Sequence, residues 1–235
     1  MEEFLEKIWI WATPISLTIS LMFFIHKKNR EYLEKEGYIE SPKKVNPHTE
    51  GLYERETKRT DPNFEMDEFK KDAVKCFMVV QKSISNRRWE GIRMFEGDEL
   101  FKKHDEMQQY LLNHNRFNVI EDIEINKVEL LKHENDGLME RISLLLHVKM
   151  KDYIIDDQTL ELLEGDKNAI KERTYEMQFR RHCGVTTKYG RSIFESVCPK
   201  CGTLASVTFE GHCEHCAAKV SDGQYSWILD HLIEV

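Results

Sequence analysis

The chain of 235 residues carries 42 acidic against 34 basic side chains, a formal net charge of -8 at pH 7, with 40% hydrophobic and 32% charged residues. That is enough for one core of ordinary size plus extensions. Phosphate binding needs clustered Lys and Arg, so a general nucleic-acid binder is not expected.

The N-terminus departs from this average. The stretch Ile8 to Ile25, IWIWATPISLTISLMFFI, runs eighteen residues without a charge. As a helix it spans about 27 Å, near the lower limit for crossing a bilayer. A cleaved signal peptide would begin basic and end at a small-x-small site; this stretch follows Glu2, Glu3 and Glu6 and ends at HKKNR. Residues 1–26 therefore read as an uncleaved single-pass anchor in a lipid bilayer. Trp9 and Trp11 suit one interface, and Lys27, Lys28 and Arg30 the other. Positive charge stays inside, which places the body on the cytoplasmic side of the cell membrane. Residues 27–60 are polar and punctuated by Gly37, Pro42, Pro47 and Gly51. They predict a flexible linker with a reach of about 30 Å, helical for its first turn or two at most.

The body follows. NFEMDEFKKDAVKCFMVVQKSI predicts a helix, with Phe69, Ala73, Phe77, Val80 and Ile84 recurring at spacings of three and four. Phe64 and Phe69 can staple its start across Glu65, a poor capping residue. Arg87 and Arg88 then fall in a solvated turn, and a short helix covers Trp89 to Phe95. Asp98 is placed to cap a third helix through ELFKKHDEMQQYLLNH.

The period then changes to two. VIEDIEINKVELL, RISLLLHVKMKDY and TYEMQFRRH read as half-buried strands: Ile142, Leu144, Leu146, Val148 and Met150 share one face, as do Tyr175, Met177 and Phe179. DDQTLELLEGDKN makes a polar hairpin connection. YSWILDHLIEV predicts a last strand, with Tyr225, Trp227 and Leu229 at period two. Helices first and antiparallel strands after make an α+β domain with helices on one face of a curved sheet.

Between the last two strands lies CPKCGTLASVTFEGHCEHC, Cys198 to Cys216. Paired C-x2-C turns about a dozen residues apart can close a tetrahedron around Zn2+. Cys198, Cys201, Cys213 and Cys216 fill all four positions with sulfur, leaving none for water or substrate. A single structural zinc is expected in a ribbon over residues 196–220, clipping the connection into the final strand, residues 221–235. A reducing cytoplasm suits such thiolates. His212 and His215 flank the second turn and read as loop histidines. Cys76 and Cys183 fall outside the spacing and read as buried or idle thiols. The ribbon's charges cancel, Lys200 and Lys219 against Glu210 and Glu214.

From about Asp61 to Leu232, the pieces DPNFEMDEFKKDAVKCFMVVQKSISNRRWEGIR, DYIIDDQTLELLEGDK, YEMQFRRHCGVTTK, the ribbon and YSWILDHL occur in order. This resembles the bacterial membrane-anchored proteins whose domain is similar to the C-terminal domain of translocase-of-inner-membrane subunit forty-four, the mitochondrial import-motor tether. The resemblance implies a cystatin-like or nuclear-transport-factor-like cone for residues 61–195. The mitochondrial relatives bind the inner membrane and tether a chaperone motor; a ribosomal relative works near the nascent-chain exit. Two departures stand out. No long chaperone-binding segment precedes the domain here, and Ala217 stands where the family's second zinc turn usually has Gly.

Three functions follow in order. The first is a non-enzymatic membrane-tethered scaffold for translocation machinery or a chaperone, handling translocating or membrane proteins. The second is an enzyme or small-ligand binder using the cone pocket, for which His147, Asp152 and Tyr153 could be nominated although His147 falls on the polar face. The third is a ribosome- or RNA-associated factor, whose basic candidates are KKNR and SNRRW.

Overall fold

The structure, a computed structural model, describes residues 47–188, 192, 197–204 and 206–235. The apolar run and the first part of the expected linker lie outside the described residues. Among the described residues no helix is long and apolar enough to cross a membrane.

The linker expectation fails from Pro47 onward, where a helix, α1, runs Pro47–Thr60. Pro is tolerated in a first helical turn, where its missing N–H costs nothing. Gly51 does weaken a helix, but tertiary contacts override it. Tyr53 packs on the core and stacks 5.3 Å from the His133 ring, and Thr57 is buried. The helix α2, Met66–Ser85, follows. Its first residue explains how a poor cap suffices: Glu65 makes no capping bond, and the Met66 N–H is instead taken by Glu54 of α1 at 3.2 Å. The staple forms as expected, with the Phe64 and Phe69 rings 5.7 Å apart. A 3-10 turn, Trp89–Ile92, leads to α3, Asp98–Asn113.

Among the described residues five strands complete the body: β1 Arg116–Asn135, β2 Met139–Asp156, β3 Leu162–Glu164, β4 Lys171–His182 and β5 Ile228–Glu234. They form one antiparallel sheet of order β1-β2-β4-β5, with β3 pairing β2. Against β2, β1 inserts an extra residue at each of three register shifts, between Glu121 and Glu124, Ile125 and Lys127, and Leu130 and Lys132. Each such bulge bends and twists its strand locally. The face of β2 carrying Ile142, Leu144, Leu146, Val148 and Met150 is buried to within 1%. It packs with Met177 and Phe179 of β4 against Phe69, Ala73, Cys76, Phe77 and Val80 of α2. This is the α+β architecture expected, helices on one face of an antiparallel sheet.

The last strand is shorter than expected. It starts at Ile228, and the period-two trio divides between two cores. Trp227 and Leu229 enter the main core, while Tyr225 packs on the ribbon. Arg87 also departs from a solvated turn. Its guanidinium binds Asp157 at 2.8 Å and the Arg116 carbonyl at 3.2 Å, over the Phe117 ring. Arg88 is exposed.

Candidate metal centre and its seat on the third helix

Each C-x2-C turn is built by the backbone. In the first, the Gly202 N–H returns to the Cys198 carbonyl at 2.9 Å; in the second, the Ala217 N–H returns to the Cys213 carbonyl at 2.8 Å. Both donors have a left-handed backbone, Gly202 at φ 75 and Ala217 at φ 55. Glycine takes that conformation freely, whereas a Cβ costs roughly 1–2 kcal/mol there. Ala217→Gly is expected to stabilise the ribbon by about 1 kcal/mol, read as a raised chelator concentration for half-loss of metal. An unchanged midpoint would contradict it.

The turns bring the four sulfurs within 4.8 Å of one another. Cys198 and Cys216 are 3.8 Å apart and Cys201 and Cys213 3.9 Å apart. Zinc–sulfur bonds of about 2.3 Å in a tetrahedron separate sulfurs by about 3.8 Å, so the cluster fits a metal ion such as zinc. A hydrogen bond from the Thr203 hydroxyl to Cys201, with a backbone bond beside it, lowers that thiol to about 6, favouring the thiolate a metal needs. His212 and His215 are exposed and outside the cluster, the His212 Nδ1 lying 3.2 Å from the Ala217 carbonyl. Cys76 is buried, and Cys183 donates to Asn135 at 3.3 Å.

The ribbon has almost no core of its own: among the described residues Cys198, Cys213, Ala218 and Val220 are its buried hydrophobic residues. It is seated instead on the start of α3. Arg93, 3% exposed, donates Nε to the Phe209 carbonyl at 2.5 Å and a second nitrogen to the Glu96 carbonyl at 2.9 Å. Its guanidinium also pairs with Asp98 and lies 4.9 Å over Phe101, whose ring meets Phe209 edge-on. Asp98 does not cap α3. It is the helix's first residue and makes no capping bond; its carboxylate takes Lys219 at 2.8 Å and Ser221 at 2.9 Å. Burial pushes that carboxyl up, but the bonds from Lys219, Arg93 and Ser221 outweigh it and hold it at about 2. Only glycine fits at Gly211, where a Cβ would stand 2.1 Å from the Ser221 hydroxyl.

Residues 51–191, which run from α1 through β4, match the Tim44-like domain. The chain belongs to this family. No curated protein matches it.

The Tim44-like domain does not gather the residues nominated for chemistry. His147 sits between Glu129 at 2.8 Å and Thr174 at 3.2 Å, and Tyr153 donates to Glu121 at 3.2 Å. Asp152, five residues along β2 from His147 and so on the opposite face, holds Arg173 at 2.6 Å. A cleft lined by Met94, Thr187, Lys188, Tyr225 and Trp227 opens where ribbon meets body. Between α2 and the sheet, Phe77, Val80, Leu146 and Met177 fill the space.

One group of residues escaped the sequence reading. Arg181 of β4, 1% exposed, donates to Glu140 at 2.8 Å and to Asp61 at 2.6 Å, with its guanidinium 4.3 Å over Trp227. His133 meets Glu140 at 3.0 Å, the Thr57 hydroxyl donates to Glu140 at 3.2 Å, and the Thr187 hydroxyl donates to Asp61 at 2.6 Å. The network ties α1, β1, β2 and β4 under the indole that leads into β5. A signal existed, because Arg181 continues the core-facing series Tyr175, Met177, Phe179. Its partners, remote in sequence, carried none.

Proposed function

We propose that the chain is a non-enzymatic, membrane-tethered scaffold whose Tim44-like domain holds a protein partner at the cytoplasmic face, in protein translocation or membrane-protein handling. What carries this reading is the family match over residues 51–191 behind an uncharged run of eighteen residues. That run supplies the bilayer contact as a single-pass anchor, and the bulged sheet with its helices suits a cystatin-like cone. Zinc in the ribbon is structural. Four sulfurs close its shell, and the charged groups around it seat the ribbon on α3. The partner belongs to translocation machinery or is a chaperone; a net charge of -8 disfavours nucleic acid.

Carbonate extraction of membranes should leave the protein in the pellet, and protease added outside intact cells should spare the body. Release by carbonate, or external cleavage of the body, would falsify the tether. Cross-linking and affinity capture from membranes, with and without residues 1–26, then reads the partner. Equal capture without the anchor would contradict a tethered scaffold.

A further inference from the structure

The hairpin between β2 and β4 carries exposed apolar side chains that the fold does not use. Leu160, Leu162, Leu163 and Ile170 are 62%, 44%, 43% and 61% exposed. Leu160 is also strained, with φ at 60. A left-handed backbone costs a leucine roughly 1–2 kcal/mol, which Asn or Gly would avoid. No burial of the side chain compensates, and hydrogen bonds hold the loop in this conformation. Asp156 accepts the N–H groups of Gln158 at 2.9 Å and Thr159 at 2.8 Å, and the Leu160 N–H returns to the Asp156 carbonyl at 2.9 Å. A strained, exposed leucine on a hydrogen-bonded loop points to selection for what that side chain touches.

The sheet leaves a strand position open beside it. β1 covers one flank of β2 along Glu140–Asp156, and β4 covers the other as far as Met150. β3 continues that second flank, pairing Ile154 and Ile155. β5 lies beside β4 from Tyr175 to Arg180, and among the described residues no strand pairs the outer edge of β3. The charge there is mostly negative. Residues 156–170 hold Asp156, Asp157, Glu161, Glu164 and Asp166 against Lys167. Arg87 and Arg116 meet Asp157 and Glu164, and the remainder is still acidic.

We propose that the β3 edge, with Leu160, Leu162, Leu163 and Ile170, is a docking surface for a cationic, apolar polypeptide segment that adds to the sheet as an extended strand. Main-chain pairing supplies the alignment, alternate side chains of the segment meet the leucines, and its positive charges meet the acidic rim. An anionic lipid surface would be repelled by that rim, and so would the same edge of a second copy. The surface rests on the scaffold reading and gives its partner a place and a chemistry.

The test uses the full chain loaded with zinc and a labelled twelve-residue peptide in which Lys alternates with Val and Thr, beside the same peptide with Glu for Lys. The Lys peptide should bind saturably, weaken as salt rises, and protect the amides of residues 162–164 from exchange. The pair Leu160→Asn and Ile170→Asn should weaken binding by about tenfold or more while leaving the melting temperature unchanged or higher, because Asn accepts the left-handed backbone and both sites are exposed. Equal binding of the Glu peptide, undiminished binding by the double variant, or protection confined to other residues would overturn the proposal. Cross-linking in membranes separates the two readings. Cross-links on the body that avoid residues 156–170 overturn this surface and keep the scaffold, whereas no cross-link anywhere on the body overturns both.

Discussion

Stripping the metal from Cys198, Cys201, Cys213 and Cys216 is expected to loosen the sheet as well as the ribbon. Without a bound ion the described part of the ribbon buries only Ala218, Val220 and two thiols fully, with Val207, Cys216 and Tyr225 half-buried against them, too little for a fold of its own. Its seat goes with it. Once Phe209, Lys219 and Ser221 leave, Arg93 loses one of the two carbonyls it donates to and Asp98 loses two of its three partners. β5 then hangs on a long untied connection, and closing that loop costs entropy the metal clip had removed. Trp227, Ile228 and Leu229 are 3%, 1% and 0% exposed. Three large side chains at roughly 1.5–3 kcal/mol each are comparable with the whole stability of a domain, about 5–15 kcal/mol. Hydrogen exchange of residues 142–150 in β2, measured before and after chelation, should rise together with that of β5, and Cys213→Ser should reproduce the effect. Unchanged protection in β2, with exchange rising only around the cysteines, would show an independent ribbon.

The second large effect is expected at Arg181. Replacing it with Met leaves Asp61 and Glu140, 1% and 4% exposed, as buried acids without their cation. Removing one partner from a buried ion pair costs about 3–5 kcal/mol, because the remaining charge is uncompensated. Urea unfolding should register that loss. Asp61→Asn and Glu140→Gln, added to Arg181→Met, should recover most of it, since the penalty lies in stranded charge rather than lost volume. If the triple variant is no more stable than the single one, packing of Arg181 on Trp227 is the larger contribution. The same network sets an acid limit. Burial pushes the Glu140 carboxyl up, but the bond from His133 and the charge of Arg181 outweigh it, and its folded value lies below the ordinary 4.5. Stability from Glu140 is therefore fully present above 4.5 and lost as pH falls through the lowered value. Zinc-independent unfolding of Glu140→Gln should show a shallower acid limb than wild type.

Several features were legible in the sequence because they rest on local periodicity and fixed spacing. The α2 face, the alternation of β2, the helix-then-strand order and the four-sulfur cluster all follow from residues a few positions apart, where backbone geometry alone decides which side chains share a face. Ala217 stands where the family usually has glycine, and its left-handed backbone shows why glycine suits that position. Other features depend on contacts between distant segments. Pro47 and Gly51 read as breakers until Tyr53 and Thr57 found His133 and Glu140 across the core. Asp98 read as a cap until the ribbon, more than a hundred residues later, brought Lys219 and Ser221 to it. Arg181 looked like one more strand residue until Asp61, Glu140 and Trp227 surrounded it. Sequence by itself determined which faces are apolar and which four sulfurs come together in a cluster that could hold a metal, since both are consequences of side-chain spacing. The tertiary structure alone decided which charges are buried and paired, because ion-pair strength depends on the partner and the surrounding dielectric, and chain folding supplies both.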